Sequence, residues 1–224
     1  LSLGYANGTS SDEVNGFWRF DNSFEDYSGN SISLLDSQNV FFTEGVFGTR
    51  PAGFEGSRQP YLEYEDDPVF DPQNFTVAAW INPDTNAEDM PIIEKSVGST
   101  EGFVFLIDNF FGTDRVSLYV QSSSQNTQRF RTDVTVPQGE LSHVAATFNG
   151  SNVKLFLNGK EKQTVESNTS ASYIPSNQEL IVGASSTGSG GEYFNGSIDE
   201  LKYISPSLNS SEIRNEYLYG RPFI

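Results

Sequence analysis

Tyr193-Phe194-Asn195-Gly196-Ser197-Ile198-Asp199-Glu200-Leu201-Lys202-Tyr203, followed by Leu208-Asn209-Ser210-Ser211-Glu212-Ile213, reads as a turn, a strand with an acidic pair, and a short capped helix. Asn195-Gly196 is a turn dipeptide. Ile198 to Ile204 alternates, which predicts that Asp199 shares a face with Leu201 and Tyr203. A carboxylate among apolar neighbours needs a partner or a cation. The helix is expected over Ser211 to Tyr219, capped by Asn209 or Ser210, with Glu212 at the positive end of its dipole.

Upstream, the chain is a series of short strands punctuated by turns. Val14 to Phe20 is a strand with Trp18 and Phe20 on one face. In Phe75 to Ile81, Phe75, Val77, Ala79 and Ile81 share one face, and Thr76, Ala78 and Trp80 the other. Neither face is charged, as expected of a central strand covered on both sides. Strands are also read at Tyr61 to Tyr64, Phe103 to Ile107, Val116 to Val120 and Leu180 to Gly183, with Asp108 to Asp114 as a loop. Val144 to Phe148 is expected to pair with Val153 to Leu157. Asn158-Gly159 supplies the hairpin signal, because both central residues of a type I′ turn need positive φ. About a dozen strands at this spacing imply an all-β sandwich or jelly roll. No interdomain linker or repeat is visible, so residues 13–224 read as one domain behind a 1–12 extension or linker.

The net charge of −17 and pI near 4.2 exclude nucleic acid as a partner and disfavour anionic membranes. There is no cysteine and one histidine, His143, so disulfides, zinc-thiolate centres and thiol catalysis are ruled out. No run of 18 apolar residues is present for direct membrane insertion. The opening Leu1 to Ala6 reads as the remnant of a removed signal or of an upstream anchor. Six Asn-x-Ser/Thr sequons, at Asn7, Asn74, Asn149, Asn168, Asn195 and Asn209, lean towards an extracellular glycoprotein or a cell- or virion-surface location.

Seven motifs in order carry a family resemblance over residues 13 to 214. They are Gly16-Phe17-Trp18-Arg19-Phe20-Asp21 with Asp26-Tyr27-Ser28-Gly29-Asn30, Phe54-Glu55-Gly56, Phe75 to Ile81, Ile93-Glu94-Lys95, Leu141-Ser142-His143-Val144-Ala145, Leu155 to Lys160, and the closing segment. The chain resembles laminin G-like domains of the concanavalin A-like lectin/glucanase superfamily. The resemblance implies a two-sheet antiparallel jelly roll, with the first and last strands adjacent and one short C-terminal helix. Ser142-His143 stands where the family often has Trp-His, and Asn158 where a turn aspartate is common. The tail Tyr217 to Ile224 lies outside the match, where its aromatic and apolar residues are expected to cap the sandwich or meet a neighbouring domain.

The resemblance supports a structural calcium ion, with Asp26 and Asp199 as carboxylate ligands, Asn30 through its amide, Ser28 through its carbonyl, and Asp21 as a fifth. The same loop also fits a plain Asx turn. The leading expectation is a glycan-binding module in surface adhesion, with Phe110 and Phe111 beside Asp108 and Asn109, and Tyr193, as sugar-contacting residues; Tyr61 and Tyr64 are further candidates. The alternative is an assembly subunit of a surface filament, surface layer or viral appendage, with self-association or surface proteins as partners. Glycoside hydrolysis needs paired carboxylates converging in a cleft. Neither Glu63-x-Glu65-Asp66-Asp67 nor Glu200 beside Asp199 reads as such a pair, so no catalytic residue is expected.

Overall fold

A computed structural model describes residues 14–45, 49–84, 89–97, 100–110, 112–122, 126–162, 164–166, 173–185 and 192–220. In chain order the strands begin with β1 (Val14–Trp18), β2 (Leu35–Gln38), β3 (Phe41–Phe42), β4 (Ala52–Phe54), β5 (Tyr61–Tyr64) and β6 (Phe75–Pro83). They continue with β7 (Met90–Val97), β8 (Glu101–Phe110), β9 (Thr113–Ser122), β10 (Asn126–Thr135), β11 (Ser142–Phe148) and β12 (Val153–Leu157). β13 (Lys160–Lys162), β14 (Thr164–Glu166), β15 (Leu180–Val182), β16 (Ala184–Ser185), β17 (Glu192–Tyr193) and β18 (Gly196–Ile204) complete them, before helix α1 (Ser210–Tyr219).

Among the described residues, two eight-stranded antiparallel sheets form the sandwich. The first runs β13-β12-β11-β6-β18-β4-β3, with β1 also on β18; the second runs β14-β10-β9-β8-β7-β15-β5-β2. The first and last strands pair as expected, Trp18 opposite Leu201 and Val14 opposite Ile204. Because β6 follows β18 along its whole length, β4 and β1 must share the other edge, β4 at residues 196–198 and β1 at 201–204. The register of β18 against β6 slips between Asp199 and Lys202, at the seam where one neighbour gives way to the other.

Between the sheets lies one aromatic-rich core. Phe75, Phe103 and Tyr203 stack with centroids 4.8 to 5.7 Å apart, and the Tyr203 hydroxyl donates to the Phe70 carbonyl at 3.1 Å. Aromatic contacts of this kind add roughly 0.5–1.5 kcal/mol each beyond area burial. The uncharged double face of β6 has its explanation in a second apolar cluster on the outer surface of the first sheet. There Phe17, Ala78, Ala145, Phe156 and Ile204 are covered by Leu208 and by Ile213 of α1. The helix starts one residue earlier than expected, and Asn209 and Glu212 form a reciprocal capping box.

Asn158 and Gly159 adopt φ of 51° and 69°, the turn that the dipeptide predicts. Gly159 is required twice over, since a Cβ there would lie 2.7 Å from Tyr217 of α1. One expectation is corrected: Asp108 to Asp114 is not a loop. β8 runs to Phe110 and β9 restarts at Thr113. Charged residues are accommodated there because Asp108 is paired with Arg131 and takes a hydrogen bond from Tyr119.

Candidate functional site

The β18 bulge overturns the expected placement of Asp199. Glu200 adopts φ 48°, the left-handed region, and takes up one extra residue. Asp199 therefore lies opposite Trp80 on the outer face, while Ile198, Leu201 and Tyr203 all point into the core. Asp199 is only 3% exposed, and its carboxylate accepts the Glu200 N–H at 3.0 Å. Burial, reinforced by the neighbouring Glu200 and Asp21 charges, pushes its pKa up to about 8. Burial also raises Glu200 to about 7, although Lys202 and Arg19 oppose the shift. Arg19 bridges the group, 2.9 Å from Asp21 and 3.5 Å from Glu200.

Asp26, Ser28 and Asn30 belong to a different neighbourhood. Asp26 accepts from the backbone N–H groups of Phe17, Ser28 and Ile32 at 3.1, 2.8 and 3.3 Å, and from the Ser28 hydroxyl at 2.8 Å. The Asn30 amide nitrogen donates to the carbonyls of Val14 and Asn15. This loop lies along the edge of β1 away from β18, so β1 separates Asp26 from Asp199. The five expected calcium ligands form two groups, and among the described residues no three acidic or histidine side chains gather to hold a metal. They do not fit one coordination sphere. The expected result is a thermal midpoint in millimolar calcium equal to that in chelator; a rise of several degrees with calcium would contradict this geometry.

The expected sugar contacts are also redistributed. Asp108 is 3% exposed and committed to Arg131 and Tyr119, and Arg129 lies over the Tyr119 ring at 5.1 Å. Asn109 is held by Asp89, Asp114 and Gly112. Phe111 and the Phe110 side chain lie outside the described residues. Tyr193 is half-buried in the short β16–β17 ladder, and Tyr61 and Tyr64 are half-buried in β5. His143 is buried between Trp80 and Tyr217, and burial lowers its pKa to about 3. Asp66 meets Lys95, and Asp67 caps the turn that begins at Pro68. Of the sequons, Asn149 and Asn209 are exposed, Asn74 is half-buried, and Asn7 and Asn168 lie outside the described residues. The Asn195 side-chain oxygen accepts the Gly56 N–H at 3.1 Å.

That asparagine belongs to a cleft of about 330 Å³ at the open end of the first sheet. Phe41 of β3 and the following Thr43 and Glu44 form one wall, and Gly53, Phe54 and Glu55 form the floor. Asn82 and Asp84 from the end of β6, with Asn195 to Ser197 at the start of β18, close the far side. Asp84 donates its N–H to the Asn195 carbonyl at 3.0 Å, tying the two walls. Phe41 stays 43% exposed, and its ring lies so close over Gly53 that a Cβ there would come within 2.6 Å of it. Only glycine allows that approach. The side-chain oxygen of Asn82 is buried without a hydrogen-bond partner among the described residues. A bare buried acceptor costs roughly 1–3 kcal/mol. No single sequence motif marks this cleft, because its residues come from four separated segments.

Comparison with known proteins bears on the fold. The family model described as "Concanavalin A-like lectin/glucanases superfamily", of laminin G type, matches residues 55–214. Domain 4 of a GH43 extracellular arabinanase from Geobacillus stearothermophilus, solved with arabinotriose, superposes with a TM-score of 0.73 at 19% identity, covering 91% of this chain and 97% of that one. A botulinum neurotoxin type C structure, whose cell entry depends on two ganglioside molecules, superposes with a TM-score of 0.68 at 12% identity over 93% of this chain. A botulinum neurotoxin DC binding domain in complex with rat synaptotagmin II does so at 0.68 and 12% over 94%. The chain spans about half the length of these two neurotoxin chains, 51% and 52%. No curated protein sequence matches it.

Proposed function

Since the chain belongs to the concanavalin A-like lectin/glucanases superfamily through its match over residues 55–214, we propose that it is a glycan-binding recognition module working outside the cell or on a surface. The cleft carries the reading. Sugars offer hydroxyl donors and acceptors around an apolar ring face, so they need an exposed aromatic surface beside convergent amide and carboxylate groups. Phe41 supplies the surface, and Asn82, Asn195, Ser197, Glu55 and Asp84 supply the polar groups. Arabinotriose in the arabinanase domain and gangliosides for the neurotoxin support a sugar as the ligand class. No described helix is long and apolar enough to cross a membrane.

A glycan array followed by calorimetry tests the reading. Phe41→Ala should weaken the strongest ligand by about tenfold, the order expected for losing one aromatic contact face of about 1.5 kcal/mol. Its melting should change little, because the ring is half in solvent. A silent array, or ligands that bind the variant unchanged, would sink the proposal.

A further inference from the structure

Resting on that reading of the cleft, we infer that Asn195 is its gate: an N-linked sugar on this asparagine fills the cleft and shuts out external glycans. Asn195-Gly196-Ser197 is a sequon, and each of its residues lines the cleft. Asn74, Asn149 and Asn209 lie outside that lining. The Asn149 oxygen closes its own turn by accepting the N–H groups of Ser151 and Asn152, and the Asn209 oxygen caps α1. At Asn195 the ends of the side-chain amide have different tasks. Its oxygen accepts the Gly56 N–H, and its nitrogen makes no hydrogen bond among the described residues.

N-glycosylation uses that nitrogen alone. The donor is a polyprenyl-diphosphate-linked oligosaccharide. The bond from its anomeric carbon to the diphosphate breaks, a bond to Nδ2 forms, Nδ2 gives up a proton, and the diphosphate leaves. The amide carbonyl survives as an acceptor, so the Gly56 hydrogen bond is kept. In the folded protein the first sugar is then joined to one wall of the cleft, with the exposed Phe41 ring on the other. At about 330 Å³ the cleft is near the small end of ligand sites, roughly 300–1,000 Å³, so tethered and free sugars compete for the same space. Tethering decides the outcome, because a ligand on a short link acts at an effective concentration on the order of millimolar. The unmodified chain is open to external glycans, and the modified chain is closed.

The test compares the whole chain made in a bacterial cytoplasm, without glycans, with the chain secreted from a glycosylating host. Peptide mapping reads the occupancy of Asn195, and both preparations are probed on one array of neutral and sialylated oligosaccharides. Asn195 should be occupied in the secreted protein, which should bind at least about tenfold more weakly than the bacterial one. Ser197→Ala removes this sequon and should bring the ratio between hosts to about one, whatever its absolute affinity. Ser151→Ala combined with Ser211→Ala removes the Asn149 and Asn209 sequons outside the cleft and should keep the full gap. An unoccupied Asn195 in the secreted protein would overturn the gate, as would occupancy with undiminished binding. A gap that survives Ser197→Ala, or closes in the Ser151/Ser211 double variant, would assign the effect to another sequon and reject it too. Those outcomes leave the cleft's glycan reading standing; if the bacterial protein binds nothing on the array, that reading fails and the gate with it.

Discussion

Lys95→Ala is expected to cost about 3–5 kcal/mol of stability. Lys95 lies in β7 opposite Phe103, on the core-facing side, and its side chain is fully buried. Its ammonium meets Asp66 at 2.7 Å, Asp71 at 2.8 Å and the Ser176 carbonyl. One cation thus pins two separate segments, the 66–71 loop and the turn before β15, to the end of the second sheet. Alanine leaves a cavity and removes the hub of the network. Lys95→Met fills the space and separates the two contributions: the carboxylates of Asp66 and Asp71 are 41% and 23% exposed and can hydrate, but the Ser176 carbonyl loses its donor. The methionine variant should therefore recover part of the loss, leaving about 1–3 kcal/mol. Urea denaturation reads both, and a Lys95→Ala midpoint equal to the parent's would refute the hub.

Asp199→Asn is expected to stabilise the protein at pH 8, on the order of 2 kcal/mol, and to do nothing at pH 4. The folded carboxyl keeps its proton to about pH 8, because burial is joined by the Glu200 and Asp21 charges. The unfolded chain releases it at about pH 3.9. Between those limits the native state holds more protons than the unfolded one, so stability falls as pH rises and levels off above the folded pKa. Asparagine removes that slope. For a domain of this size the gain at pH 8 corresponds to roughly 4–8 °C in melting temperature. Some slope remains through Glu200, whose pKa is also raised, to about 7. A loss of stability at pH 8, or an equal gain at pH 4, would reject this account.

The fold was readable in the sequence because its signals are local. Alternation marked β6 and its two covered faces, Asn158-Gly159 marked the β12–β13 hairpin, and Asn209 with Glu212 marked the helix start. The acidic residues were harder to place for a physical reason. Period-two reasoning assigns Asp199 to the core face, and a single bulged glutamate with positive φ reverses it; nothing in Asp-Glu-Leu announces that. Lys95 reads as an ordinary strand residue until Asp66, Asp71 and Ser176 arrive from elsewhere. Asp108 and Asn109 looked like loop residues because their partners, Arg131, Tyr119 and Asp89, are remote in the chain. The cleft under Phe41 depends on Gly53 letting a ring approach the backbone, and on strands whose adjacency only the topology settles.

The C-terminal helix carries a practical lesson about modularity. The family match ends at residue 214, within α1. Beyond it, Tyr217 stacks on Trp80 at 5.5 Å, Glu216 receives Lys202 at 2.5 Å, and the Gly220 carbonyl accepts the Trp80 indole N–H at 2.8 Å. A fragment trimmed to the matched boundary would present a bare indole and a buried histidine to water. The portable unit, for excision or for fusion to another protein, extends through Gly220.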